Sequence, residues 1–158
     1  MGLAIGSMKV GFAYLVDGEL MDWRLSIDAS RSEPAAYEQA AEWIGYYQLD
    51  VLVLEDPEHS RKGSHAHLLH QAAMRAAVAA EVRVILMPPL SDGAPNKYAR
   101  AKAMAEEFPQ IAPWLPDPRR VFDQEPRNIV LFEALSLCWT WWSAAGRADQ
   151  QEAQDIEF

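Results

Sequence analysis

The run Val51-Leu52-Val53-Leu54 is the feature that most narrows what this chain can fold into. Successive apolar residues between Asp50 and Pro57 read as a strand covered on both faces, not one with a wet side. A strand of that kind needs helices above and below it, which points to an α/β layer architecture. The run ends on Glu55 and Asp56. In open α/β sheets the crevice beyond the carboxyl ends of the strands is where ligands bind. An acid there is either a solvated strand terminus or a functional group aimed into that crevice.

The segments around this strand alternate in type. Three strands are expected first, at Gly2–Ile5, Val10–Leu15 and Leu20–Ile27, with Asp17-Gly18 as a hairpin turn. A helix follows, with Ser32 as its cap, Pro34 in its first turn, and Ala40, Trp43, Ile44 and Tyr47 on one face. After the Val51–Glu55 strand and a loop from Asp56 to Gly63, an alanine-rich helix begins near Ser64. The fifth strand, VRVILM, is closed by Pro88-Pro89, and Asn96 caps a helix through NKYARAKAMAEEF. The proline-punctuated stretch PQIAPWLPDPRRVFDQEPR reads as irregular. A last helix is expected from about Asn128 to Ala145, ended by Gly146, with 146–158 an acidic, flexible tail beyond a domain of residues 1–145.

At 158 residues, 50% hydrophobic and 23% charged, the chain has the composition of one globular domain. A net charge of −9 excludes a broad basic nucleic-acid footprint but leaves room for a local basic patch. One cysteine, Cys138, cannot form a disulfide within the chain and fits a reducing compartment. MGLAIGSMKV has no basic region ahead of an apolar core, so a cytoplasmic protein without a membrane span is expected.

The last helix carries the second informative acid. Between Arg127 and Arg147 the only charged residue is Glu133, in NIVLFEALSLCWTWWSAA. A carboxylate on a helix apolar all round needs pairing, protonation or a metal ion. An ordinary partner would be Arg127 or Arg120. Glu55 and Glu133, distant in sequence, are also suited to supplying oxygen ligands to one hard divalent cation.

LAIGSMKVGFAYL, VLVLED and FEALSL, taken in order with the elements between them, resemble the RuvC-type Holliday-junction resolvases of the ribonuclease H-like superfamily. The resemblance implies an α/β ribonuclease H-like fold with a five-stranded mixed sheet, three antiparallel strands then two parallel ones, flanked by helices. It also implies recognition of structured or branched DNA, metal-dependent phosphodiester hydrolysis with water as nucleophile, Mg²⁺ or Mn²⁺ as cofactor, and a homodimer. Glu55 and Glu133 match the family's catalytic acids, with Asp56 beside them as a further metal ligand. The family's first-strand aspartate is absent, since the chain reads Ile5-Gly6-Ser7, and Val130 stands where the last helix usually has a second acid. Asp123 and Glu125 are candidates to compensate. The alternative is a binding or assembly module of this fold that has lost its metal site.

Three other groups bear on function. Arg61 and Lys62, in the loop beside Glu55, and Lys97, followed by Arg100 and Lys102, are candidate phosphate contacts. His59, His65, His67 and His70 are close in sequence and offer zinc-binding side chains, although their spacing follows no strong zinc signature. Trp139, Trp141 and Trp142 cannot all share one helix face, so Trp141 is expected at another surface, including one for self-association.

Overall fold

The computed structural model describes residues 2–5, 9–56, 63–88, 96–117, 126 and 128–156, with side chains described between 9 and 145. Its strands are β1 (Gly2–Ile5), β2 (Val10–Val16), β3 (Glu19–Ser26), β4 (Val51–Glu55) and β5 (Arg83–Met87). The helices are α1 (Glu33–Tyr47), α2 (Ser64–Ala79), α3 (Lys97–Glu107) and α4 (Ile129–Ile156). The strands lie in the order β3-β2-β1-β4-β5. Two ladders hold most of the pairing, β2 with β3 antiparallel and β4 with β5 parallel. Between them, β1 pairs antiparallel with β2 and parallel with β4, the latter through Gly2↔Val53 and Leu3↔Leu54.

Local chemistry accounts for most boundaries. Asp17 and Gly18 both have positive φ, 50° and 81°, which matches the twist a two-residue hairpin requires. Ser32 Oγ accepts from the Ala35 N–H at 3.2 Å, and Asn96 Oδ1 accepts from the Ala99 N–H at 3.0 Å, so α1 and α3 start where side chains satisfy orphan backbone donors. Gln48, in the left-handed region at φ 50°, ends α1.

Strand alternation divides the core in two. Val10 and Phe12 of β2 and Leu52 and Leu54 of β4 pack with α1 and α2, where Ala66, Ala72, Ala73, Ala76 and Ala77 leave room for close approach. Phe12 stacks on Trp43 with ring centroids 4.8 Å apart. Ala13 and Val53 point the other way, toward α3, α4 and the short 3₁₀ turn Pro109–Trp114.

Two expectations need correction. Gly146 does not end the last helix, which runs on to Ile156. A mid-helix glycine costs about 1 kcal/mol, but its neighbours here are alanines, Arg147 and glutamines with no proline nearby, so helix propensity carries the chain past it. The stretch from Pro109 is also not wholly irregular: Pro109–Trp114 forms a 3₁₀ helix, with proline suited to its first turn.

Candidate functional site

Glu55 is the last residue of β4 and pairs with Met87 of β5. Val51 and Val53, of the same parity, belong to the α4-side cluster, and Leu52 and Leu54 to the other. Alternation therefore gives Glu55 to the α4 side, where it is half-buried. The Asp56 N–H donates to the Met87 carbonyl at 2.7 Å, extending the ladder by one residue. The same alternation directs the Asp56 side chain to the opposite face.

α4 crosses that face along β2. A Cβ on Gly11 would lie 2.8 Å from the Val130 carbonyl oxygen, and one on Gly18 would lie 2.6 Å from the Trp142 indole nitrogen. The helix thus runs in the direction of β2, which is antiparallel to β1, and its first turns lie at the carboxyl end of β4. Leu131 faces β3, lining a groove with Asp22, Trp23 and Leu25. Glu133 comes two residues later, about 200° around the helix, and leaves α4 on the opposite flank, over β1 and β4. It is half-buried there. Strand and helix thus bring Glu55 and Glu133 to the same face and the same end of the sheet.

A cation that the sequence reading missed belongs to this end. Lys9, just ahead of β2, is only 6% exposed, and its Nζ donates to the Pro126 carbonyl at 3.1 Å. It continues the phase of Gly11 and Ala13, on the α4 side. On α3, Lys97 and Arg100 are half-buried and Lys102 is exposed. Arg61, Lys62, His59, Asp123, Glu125, Gly6 and Ser7 lie outside the described residues.

The described donors do not by themselves make up a two-metal centre. Among the described residues no three His, Cys, Asp or Glu side chains converge on a point, whereas two ions acting on one phosphodiester need carboxylates that serve both. The hydroxyls of Ser136 on α4 and Tyr98 on α3 are buried without a hydrogen-bond partner among the described residues, but they are neutral and replace no acid. The described histidines do not converge either. His65 Nε2 bonds the Ser30 carbonyl at 2.7 Å, His70 Nδ1 the Ala66 carbonyl at 2.8 Å, and His67 Nε2 accepts from Gln71 at 3.0 Å. The described rings are thus engaged with three separate local partners.

A second polar cluster ties α1 to β3. The Tyr47 hydroxyl donates to the Asp22 carboxylate, which also takes the Arg24 guanidinium at 3.2 Å. Burial, and then the bond to Asp22, raise the Tyr47 hydroxyl above its usual range. The Tyr47 hydroxyl and then Asp22 hold Arg24 still more firmly protonated. Trp139 meets Phe108 edge-on at 5.1 Å, and Trp141 packs against the α4-side core. Trp141 is half-buried, packing in part on the chain's own core and in part lining a pocket with Trp142.

No family model and no curated protein sequence matches the chain. Solved structures do. Thermus thermophilus RuvC superposes with a TM-score of 0.63 at 15% identity, covering 91% of this chain and 93% of that one. The same organism's RuvC in complex with a Holliday junction substrate gives 0.58 at 16% identity, with 91% and 92% covered. At such identity the likeness speaks for the fold, and the chain has the α/β architecture of RuvC.

Proposed function

We propose that this protein recognises branched DNA with a RuvC-like crevice and does not cut it at an appreciable rate. The observation that carries this reading is a RuvC-like fold matched over nearly the whole of both chains, combined with an acid set that, among the described residues, falls short of a two-metal centre. In this reading Glu55 and Glu133 approach each other across the crevice and are what remains of the metal site. Lys97, Arg100 and Lys102 on α3, with Arg61 and Lys62 from the segment between β4 and α2, take the phosphates. The contacts must be local, because a chain of net charge −9 repels DNA as a whole. A two-fold homodimer belongs to the same reading, since a four-way junction presents symmetry-related strands to a symmetric partner.

Fluorescence anisotropy tests this with a labelled immobile four-way junction and a linear duplex of matching sequence, at one fixed salt concentration. The expected result is binding to the junction at least ~10-fold tighter than to the duplex, a difference of about 1.4 kcal/mol. Equal affinity, or none for either, would contradict it.

One observation favours a second reading, that of an active nuclease using Mg²⁺ or Mn²⁺. Glu55 stands half-buried at a strand end on the face that α4 covers, a suitable position for a metal ligand. Junction cleavage that Glu55→Gln abolishes would select this reading over the first.

A further inference from the structure

We propose that a cavity at the hairpin end of the sheet binds a small organic ammonium ion carried on an apolar stem. It lies at the start of β4, the opposite end of that strand from Glu55, and is independent of the DNA reading.

The cavity opens where β1 begins. Gly2, its first residue, pairs with Ala13 and with Val53. β2 runs on to Val16 and β4 starts at Val51, so beyond Gly2 no described strand lies between them. The cavity between the two strands measures about 260 Å³. Its walls come from both layers of the fold. Tyr14 packs on the α1-side core and Leu15 and Trp141 on the α4-side core, and all three line it. A slot through the sheet accounts for that mixture, since neighbouring strand residues point to opposite faces.

Polarity is graded along the slot. Cys138 is buried, Tyr14, Trp141 and Trp142 are half-buried, and Asp17 and Asp50 stand exposed. The inner wall is thus apolar and aromatic, and the mouth is acidic. No Lys, Arg or His lines the cavity. Arg83 donates its backbone N–H to the Asp50 carbonyl at 3.3 Å, yet neither carboxylate forms an ion pair among the described residues. Ring faces and carboxylates attract the same ligand, a cation, and the apolar inner wall suits the stem behind it. An anion would meet two like charges, and a neutral molecule would leave both acids unanswered.

The walls are held in place by the protein itself. The Tyr14 hydroxyl donates to the Tyr47 carbonyl at 3.4 Å, and the two rings lie 4.7 Å apart. The Trp142 indole is seated against Gly18. Such preorganisation lowers the ordering cost of binding. The volume falls just short of the ~300–1,000 Å³ typical of pockets for drug-sized ligands, so the occupant is a small free amine.

The experiment is calorimetric titration of the full chain at constant ionic strength, for wild type and Asp17→Asn/Asp50→Asn. The probes are butylammonium chloride and 1-butanol, a neutral ligand with the same stem. Asparagine tolerates the positive φ of residue 17 and favours the same turn ahead of Gly18, and residue 50 is exposed. The expected Kd of butylammonium on wild type is ~1 mM, with 1-butanol at least ~10-fold weaker. The double variant should bind butylammonium ~10-fold more weakly than wild type does, with 1-butanol unchanged. Equal affinity for the two ligands would overturn the proposal, leaving a plain apolar cavity. Butylammonium affinity undiminished in the double variant would overturn it too, because the ion would then sit elsewhere. Wild type that binds no butylammonium within ~10-fold of the expected Kd would also reject it. None of these measurements uses DNA, so failure of junction recognition and failure of this site are separately visible.

Discussion

Two glycines of the β2–β3 hairpin, Gly11 and Gly18, lie hard against α4. At Gly11 the obstacle to a side chain is backbone: the Val130 carbonyl oxygen and carbon would lie 2.8 and 2.9 Å from a Cβ. At Gly18 the obstacle is the edge of an indole, Trp142, at 2.6 Å, and the glycine itself has φ +81°. The first crossing lies under the turns that lead into Glu133. The second lies at the hairpin tip, on the margin of the fold. One kind of contact therefore does two jobs: at Gly11 it lets the start of α4 close onto the sheet, and at Gly18 it seats an aromatic ring over a turn.

Substituting the two glycines by alanine should separate these jobs. Gly11→Ala forces the start of α4 off the sheet and is expected to cost about 1–3 kcal/mol as an overpacking change. It should also weaken junction binding by the molecules that remain folded, because the Glu133 flank moves with the helix. Denaturant unfolding together with anisotropy reads both effects. Gly18→Ala should cost about 1 kcal/mol, mostly through its left-handed backbone, with the indole turning aside and junction affinity unchanged. If both variants lost binding equally, binding would not depend on how α4 closes at Gly11.

The smallest expected effect lies at the Tyr47–Asp22 cluster, away from both crossings. The Tyr47 hydroxyl is raised above its usual range near 10, so the folded state holds this proton more tightly than the unfolded state. Its contribution is complete below pH ~10 and is lost as pH rises through the folded value. A midpoint that falls above pH ~10, with part of the fall absent in Tyr47→Phe, would confirm the sign. An identical alkaline profile in the two proteins would contradict it.

How much of this the sequence disclosed depends on how local the cause is. Ser32, Asn96 and the Asp17-Gly18 turn act on residues within three positions of themselves, and each was readable. Glu55 was readable because a Val/Leu strand has only two faces and an end. Gly146 misled because its stop signal is weak against good helix formers on either side. Lys9 was invisible, since the Pro126 carbonyl that it meets lies 117 residues later in the chain. That no acid stands at Gly6 or Val130 was plain from residue identity. The flank on which Glu133 leaves α4 needed the helix seated on its sheet.

The central claim, a RuvC-like crevice that binds branched DNA without cutting it, is tested most directly on one preparation analysed by two gels. A 5′-labelled four-way junction is incubated with the protein and Mg²⁺ or Mn²⁺, then run native and denaturing. A retarded junction is expected on the native gel and full-length strands on the denaturing one. Paired nicks that disappear with Glu55→Gln would contradict it, as would a junction that migrates unretarded.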